Sequence, residues 1–304
     1  MNNIIFCFDQ NYSHLLHNVL KTLFKSNDYN DFKLHFVLYD ESQELHHNVL
    51  KNISEINQQL KLSINYEYKY FEPTDEFKKN IKNYEYILYE NDKESKRSSV
   101  FCNYGNWSRF FINEMFPNLE TGLYLDLDIL INRNLNDVFN INYGNNIIGA
   151  IGMKKKNRNM KRGKILDYDK SQIKSIIKNF KDIDKSKFKD IINFDTLNSQ
   201  RFNCGVVYFN FKLYKENKIL DKLTSLLKEL TDKNIKIINT GTEKTFNIII
   251  GKYKNLDEKY NKIIGNKVKL ENINFKDFTI FHFKGKKDLL NDKIYQDILN
   301  KISS

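Results

Sequence analysis

Two carboxylates stand close together inside an apolar stretch of the chain. Asp126 and Asp128 interrupt the run Leu123–Ile131, which is otherwise apolar. A carboxylate is rarely buried without a partner, and side chains one residue apart project to the same side of an extended chain. A divalent cation would supply the counter-charge, and carboxylate oxygens suit Mn²⁺ or Mg²⁺. The spacing favours a metal site; the alternative is a strand end at which both acids are solvated.

A histidine in a second apolar run could complete this site. His282 lies between Phe281 and Phe283. A glycine with flanking lysines follows it, in the order Lys284, Gly285, Lys286 and Lys287. Such a loop can bring backbone amides and ammonium groups to a phosphate. An imidazole beside two carboxylates and a diphosphate would complete a Mn²⁺ site, whereas the other interpretation is a histidine of the core.

Strands and helices alternate along the chain and must position these residues. Apolar runs predict strands over 4–8, 32–39 and 63–70, and a 3/4 apolar spacing predicts helices starting near Leu15 and Leu45. The later patterns predict helices at 107–116, 220–230 and 288–302, and strands at 147–151, 202–211 and 278–283. This alternation predicts an α/β fold with a mostly parallel sheet flanked by helices. Because ligands of such sheets bind at the carboxyl ends of the strands, Asp9 joins the candidates.

The domain organisation is predicted to be simple. We expect one domain over residues 1–304, with a basic insertion at 153–200 on the edge of the sheet. The insertion contains one predicted helix near 173–180. We expect it to be a mobile surface element, with a solvated segment of no function as the alternative.

The net charge of +11 has two explanations. Solvated lysine faces are one; an anionic partner, such as a phosphorylated substrate or an acidic membrane surface, is the other. Nucleic acid is not predicted, because the basic stretch 154–189 lacks interleaved aromatic residues that stack bases. The first residues lack the basic flank of a signal peptide, and no apolar run approaches the ~20 residues of a membrane span. We expect a cytoplasmic protein, with peripheral contact to an anionic membrane as an option.

Four segments in this order resemble the retaining family 8 glycosyltransferases, which include lipooligosaccharide galactosyltransferases and glycogenins. They are Phe8-Asp9-Gln10-Asn11-Tyr12, then Trp107-Ser108-Arg109-Phe110 with the strand Leu123–Val138, then Phe202-Asn203-Cys204-Gly205, and finally His282-x-x-Gly285. The resemblance implies a GT-A type, Rossmann-like domain. It also implies a UDP-sugar donor and a Mn²⁺ or Mg²⁺ ion.

The resemblance also implies a role for each matching residue. The metal ligands would be Asp126, Asp128 and His282. The uridine would be held by Asp9, Asn11 and Tyr12. The rest of the nucleotide sugar would contact Arg109, Asp126, Leu127, Asn203, Gly205, Gly285, Lys286 and Lys287. Arg109 and Asn203 would also take part in catalysis.

Two positions depart from the family pattern. Glu243, in Thr242-Glu243-Lys244, stands where the family has a glutamine. It is a predicted catalytic residue that could stabilise or attack an oxocarbenium ion, or could instead hydrogen-bond sugar hydroxyls or cap its helix. Asp288 replaces a diphosphate-binding lysine. Lys287, with Lys286 in reserve, is predicted to take over that contact, and Asp288 to cap the final helix.

The predicted activity is retaining transfer of a hexose from a UDP-sugar to a hydroxyl acceptor. The acceptor would be a glycan, a lipid-linked sugar or a protein. The basic insertion is predicted to lie beside the acceptor side of the cleft. Replacing Lys154, Lys155 and Lys156 by Ser is then expected to weaken acceptor use but not donor hydrolysis.

Two alternatives to this activity stay open. One is glycogenin-like self-glucosylation on one of the 18 tyrosines, and the other is a non-catalytic module that binds nucleotide sugar.

Overall fold

The computed structural model describes residues 1–39, 44–89, 103–153, 200–232, 242–265, 268–284 and 288–304. The strands in these ranges are β1 (Asn2–Asp9), β2 (Phe32–Tyr39), β3 (Asn65–Tyr70), β4 (Thr121–Leu125), β5 (Ile129–Ile131), β6 (Ile148–Gly152), β7 (Phe202–Asn210), β8 (Lys254–Asn255), β9 (Lys262–Ile263) and β10 (Ile280–His282). The α-helices are α1 (Leu16–Ser26), α2 (Glu44–Leu60), α3 (Asp75–Tyr89), α4 (Tyr104–Trp107), α5 (Ile112–Met115), α6 (Asn136–Phe139), α7 (Phe211–Glu216), α8 (Ile219–Asp232), α9 (Thr242–Ile250) and α10 (Lys293–Ser303).

Within the described ranges, the strands form a seven-stranded sheet, β3-β2-β1-β4-β7-β6-β8, and a three-stranded sheet, β5-β10-β9. In the large sheet β1 lies parallel to β2 and β4, whereas β7 runs antiparallel to both of its neighbours, β4 and β6. The predicted α/β fold with a mostly parallel, helix-flanked sheet is confirmed.

Apolar residues cover both faces of the large sheet. Along β1, Ile4, Phe6 and Phe8 enter one hydrophobic core, and Ile5 and Cys7 enter the other. This division follows from the alternation of side chains along a strand. Because β1 is buried on both faces, its sequence is a continuous apolar run that ends at the sheet edge.

The apolar run 123–131, which was expected to be one extended segment, is two separate strands. β4 ends at Leu125, and β5 begins at Ile129 in the small sheet, where it pairs with β10. Asp126 and Asp128 therefore lie in the connection between two sheets. The period-two argument for their common direction does not apply, because the chain is not extended through them.

The helix predictions also need correction. The predicted helix 107–116 is divided into α4, a 3₁₀ turn over Ser108–Phe110, and α5. The final helix begins at Lys293, and its cap is Asp292, whose side chain accepts a 3.0 Å hydrogen bond from the Tyr295 amide. The prediction of Asp288 as the cap is wrong, because the helix starts later. The Asp288 carboxylate instead accepts from the Asn291 side chain at 2.9 Å.

Most of the basic insertion, residues 154–199, lies outside the described residues, as does its predicted helix. β6 ends just before it and β7 begins just after it. A single domain over 1–304 stays a prediction. Among the helices that the structure describes, none has the length and apolar character needed to cross a membrane.

Candidate active site

Asp126, Asp128 and His282 lie together where the two sheets meet. One ligand atom from each lies within 4.8 Å of the others. Asp126 directly follows β4, and its amide donates to the Gly205 carbonyl at 2.8 Å. The Asp128 carbonyl accepts from the Phe283 amide at 2.8 Å, which extends the pairing of β5 with β10. Backbone pairing in both sheets thus holds the cluster.

The space around the cluster depends on a glycine in β7. A Cβ at Gly205 would overlap Cε1 of His282 and would lie 2.9 Å from Oδ2 of Asp126. The pairing of β7 with β6 shifts here, since Ala150 pairs with Val207 whereas the next residue, Ile151, pairs with Asn203. Such bulges re-aim side chains beside functional sites. The bulge and the missing Cβ together make room for the two carboxylates and the imidazole.

The charges of Asp128 and His282 in the cluster stabilise each other. Nε2 of His282 lies 3.2 Å from Oδ1 of Asp128. Burial alone would raise the pKa of Asp128, but the charge and hydrogen bond of His282 hold it below its ordinary value. Burial would lower the pKa of His282, but Asp128 raises it. In the absence of a metal the pair is therefore stabilised as carboxylate and imidazolium. Two carboxylates and an imidazole, with the space beside Gly205, fit a Mn²⁺ or Mg²⁺ ion.

A cleft adjoins the cluster on the side of β1. Asp9, Tyr12, Arg109 and Leu127 line it, together with Asp126 and Asp128. Asp9 accepts hydrogen bonds from three donors: the Asn11 amide at 3.0 Å, the Asn11 side chain at 3.1 Å and the Asn103 side chain at 2.6 Å. Tyr12 is 45% exposed at the mouth of the cleft. The structure thus brings Asp9, Asn11 and Tyr12 to the same edge as the cluster.

Arg109 lines the cleft and also contacts the cluster through Asp126. Its guanidinium lies 3.5 Å from Oδ1 of Asp126 and 5.0 Å from the centre of the Tyr124 ring, and its Nε donates to the Asn106 carbonyl at 3.1 Å. The Tyr124 hydroxyl also donates to Oδ1 of Asp126. Asp126 is therefore held by two donors on the side that faces the protein.

Glu243 lies at the start of α9, on the other side of the cluster. Its carboxylate accepts from Asn203 at 3.0 Å and from Lys284 at 2.6 Å, and it pairs with Arg201. Burial would raise the pKa of Glu243, but Lys284 and Arg201 lower it below the ordinary value. The group is therefore an ionised carboxylate between two cations.

Gly285, Lys286 and Lys287 lie outside the described residues, so their predicted contacts with the diphosphate stay predictions. Sequence reasoning missed Tyr124, Asn103, Arg201 and Asn261 as parts of the site. It named Lys284 in a loop that could meet a phosphate, whereas the structure places its ammonium group at Glu243. For Tyr124 a signal existed, because it stands two residues before Asp126. The others are single polar residues in loops or at element ends, and only the tertiary fold brings them to the site.

The fold is shared with solved glycosyltransferase structures. The galactosyltransferase LgtC, solved with donor and acceptor sugar analogues, is 14% identical with a TM-score of 0.58, over 99% of this chain and 95% of that one. GlyE of Streptococcus pneumoniae is 17% identical with a TM-score of 0.57, over 99% of this chain and 60% of that one. The bifunctional enzyme WbbM is 14% identical with a TM-score of 0.56; this chain is covered completely but spans only 50% of WbbM. No curated protein sequence matches the chain.

The α/β sheet and its flanking helices have the fold of these solved glycosyltransferases. Residues 3–287 match the model of glycosyl transferase family 8, and the chain belongs to this family. The resemblance seen in the sequence is thereby confirmed, and so is the prediction of a glycosyltransferase.

Proposed function

We propose that this glycosyltransferase moves a hexose from a UDP-sugar to a hydroxyl acceptor, with retention of configuration and with Mn²⁺ or Mg²⁺ as cofactor. The observation that carries the proposal is the cluster of Asp126, Asp128 and His282 at the mouth of the cleft lined by Asp9 and Tyr12. A candidate metal-binding group and an adjoining cleft at one sheet edge are what a sugar diphosphate needs.

The cluster would hold the metal and the diphosphate. When bound, the ion neutralises negative charge that grows on the leaving diphosphate. Asp126 is aimed by Tyr124 and Arg109, and Asp128 by the backbone of β10. Because these partners are fixed before the donor binds, the carboxylates need not reorganise during the reaction.

The cleft would hold the uridine. The Tyr12 ring is exposed enough to stack on a base. Such stacking would bury apolar surface of the tyrosine ring and of the base. Asp9 is fixed by Asn11 and Asn103, and its carboxylate can accept the imide proton of uracil. Leu127, buried between the two acids, would form the apolar floor beneath the diphosphate.

Glu243, Asn203 and Arg109 would act at the sugar. The Glu243 carboxylate forms ion pairs with Arg201 and Lys284, and these pairs make it a weaker nucleophile. We therefore favour Glu243 as a hydrogen-bond acceptor for sugar hydroxyls and as a counter-charge for an oxocarbenium ion. Asn203 holds Glu243 in place through its amide nitrogen. The acceptor, a glycan, a lipid-linked sugar or a protein, would approach the same face. We do not expect nucleic acid as an acceptor.

The decisive experiment measures UDP release from a panel of UDP-sugars with Mn²⁺, with and without candidate acceptors. We expect release with one or a few donors, loss in EDTA, and loss in Asp128→Asn with a nearly unchanged melting temperature. Full activity in EDTA or in that variant would contradict the proposal. Intact-mass measurement after the reaction separates an external acceptor from self-glucosylation, and donor binding without any turnover would identify a non-catalytic module.

A further inference from the structure

A chain of hydrogen bonds runs behind the cluster and involves one residue with no role so far, Asn261. Nδ1 of His282 contacts Oδ1 of Asn261 at 2.9 Å. Nδ2 of Asn261 donates to Oδ1 of Asn203 at 2.8 Å, and Nδ2 of Asn203 donates to Glu243 at 3.0 Å. His282 and both asparagines are at least 97% buried. Water cannot substitute for these bonds, so the direction of each one matters.

The direction is fixed at the Asn203 end. The Gly205 amide meets Oδ1 of Asn203 at 3.0 Å, and a backbone N–H can only donate. The other half of the Asn203 amide faces Glu243, which is held ionised by Lys284 and Arg201 and can only accept. Both contacts require the oxygen of Asn203 to face Gly205 and its nitrogen to face Glu243. If the Asn203 amide were flipped, its oxygen would face the Glu243 carboxylate and its NH₂ group would face the Gly205 N–H, so neither hydrogen bond could form.

The fixed direction is passed on to the histidine. Because Oδ1 of Asn203 is an acceptor, the Asn261 atom that meets it must be the NH₂ group. The Asn261 oxygen then faces His282, so Nδ1 of His282 must carry a proton. Nε2 faces the Asp128 carboxylate, which is also an acceptor, so both ring nitrogens carry a proton in the metal-free protein. A metal ion would take the place of the Nε2 proton and leave the Nδ1–H bonded to Asn261.

We propose that Asn261, oriented by Asn203, is a positioning residue that accepts the Nδ1 proton of His282 and so turns Nε2 toward the metal. The role rests on the proposed metal site. Partners that hold the second nitrogen of a metal-binding histidine typically change metal affinity by about 10–100-fold.

The Nδ1 proton is tested in the metal-free protein, without donor or turnover. With ¹⁵N-labelled histidine, long-range ¹⁵N–¹H correlation spectra distinguish a protonated from an unprotonated ring nitrogen. The variant His282→Gln identifies the signals of His282. We expect Nδ1 of His282 to be protonated in the wild type. A wild-type His282 with an unprotonated Nδ1 would overturn the inference.

Metal binding gives an independent readout. Free Mn²⁺ is measured by electron paramagnetic resonance while protein and UDP are titrated. We expect Asn261→Leu to bind Mn²⁺ about 10–100-fold more weakly. Asn261→Asp keeps an acceptor facing Nδ1 but loses the NH₂ group that faces Asn203, so it should bind Mn²⁺ more tightly than Asn261→Leu.

Asn247→Leu is the matched control, because Asn247 is equally buried and bonds the backbone of Phe202 and Glu243 but not His282. Wild-type Mn²⁺ affinity in a folded Asn261→Leu would overturn the proposal. If Asn261→Leu does not fold, wild-type affinity in Asn261→Ala would overturn it instead. If the wild type carries the Nδ1 proton but binds no Mn²⁺, the metal site of the proposed function fails, while the contact between Asn261 and His282 stands.

Discussion

Gly205 lies at the bulge in β7, where the strand passes next to His282 and Asp126. We expect Gly205→Ala to lower kcat/KM by about 10²-fold, because the new methyl group displaces the imidazole and a shift of about 1 Å in an active site has that effect. The measurement is UDP release as a function of Mn²⁺ concentration. Gly265→Ala is the control, since no atom lies within 4 Å of a Cβ at that position. Equal losses in both variants would contradict the steric argument.

Glu243 offers a second test on the scale of one residue. In Glu243→Gln the contact with Asn203 is kept but the charge between Lys284 and Arg201 is lost. A charge-assisted hydrogen bond contributes about 1.5–3 kcal/mol, so we expect kcat to fall roughly ten- to hundredfold. Glu216→Gln, at an exposed position of α7, serves as the control.

The same residue distinguishes two catalytic roles. If Glu243 were a nucleophile, Glu243→Ala supplied with azide would form a glycosyl azide. We expect none, because the paired carboxylate acts as a counter-charge. Mass spectrometry of the products detects the azide adduct, and its appearance would show covalent catalysis.

At this scale the sequence is informative where a polar residue breaks an apolar pattern. Asp126, Asp128 and His282 stand out for this reason, and the structure places them together. Asn103 and Asn261 have no such contrast, because neither interrupts a long apolar run. Their contacts span long separations in sequence, and no local pattern encodes them.

Among the elements, the final helix allows a matched comparison. Asp292 caps α10, whereas Asp288 accepts a hydrogen bond from the Asn291 side chain and is not the cap. We expect Asp292→Ala to cost about 1 kcal/mol of stability, as is typical for removal of a cap, and Asp288→Ala to cost much less. Thermal unfolding of both variants measures the difference. A larger loss for Asp288→Ala would restore the prediction made from the sequence.

The strands and helices also show which features of the fold apolar periodicity cannot predict. The strand β1 and the helix α2 were predictable because each has one consistent apolar period. The stretch 123–131 was not, because two short strands of different sheets follow each other and read as one apolar run. The antiparallel insertion of β7 between β4 and β6 likewise depends on sheet topology, which periodicity does not encode.

For the whole molecule, acid sensitivity follows from a buried histidine. His35 of β2 lies 2.7 Å from Glu67 of β3, and burial lowers the pKa of His35 to about 4, although Glu67 opposes the shift. The unfolded chain therefore binds this proton at a higher pH than the folded one. The resulting stability is present above about pH 6.5 and is lost as the pH falls toward 4. The lowered pKa of Glu67 acts in the same direction.

We expect His35→Gln, which keeps a donor for Asn3, to lose less stability than the wild type over this range. Urea unfolding at several pH values measures the free energy of unfolding for both proteins. Parallel pH profiles would show that another group causes the acid sensitivity.

The position of the cluster between two sheets has one more consequence. Asp126 directly follows a strand of the large sheet, whereas Asp128 directly precedes a strand of the small sheet and His282 ends another. The proposed metal site is therefore complete only when the two sheets are packed together. A chain with the large sheet formed but the small sheet displaced would keep Asp9 and would lack a complete set of the three proposed ligands. Metal binding would thus report that both sheets are assembled.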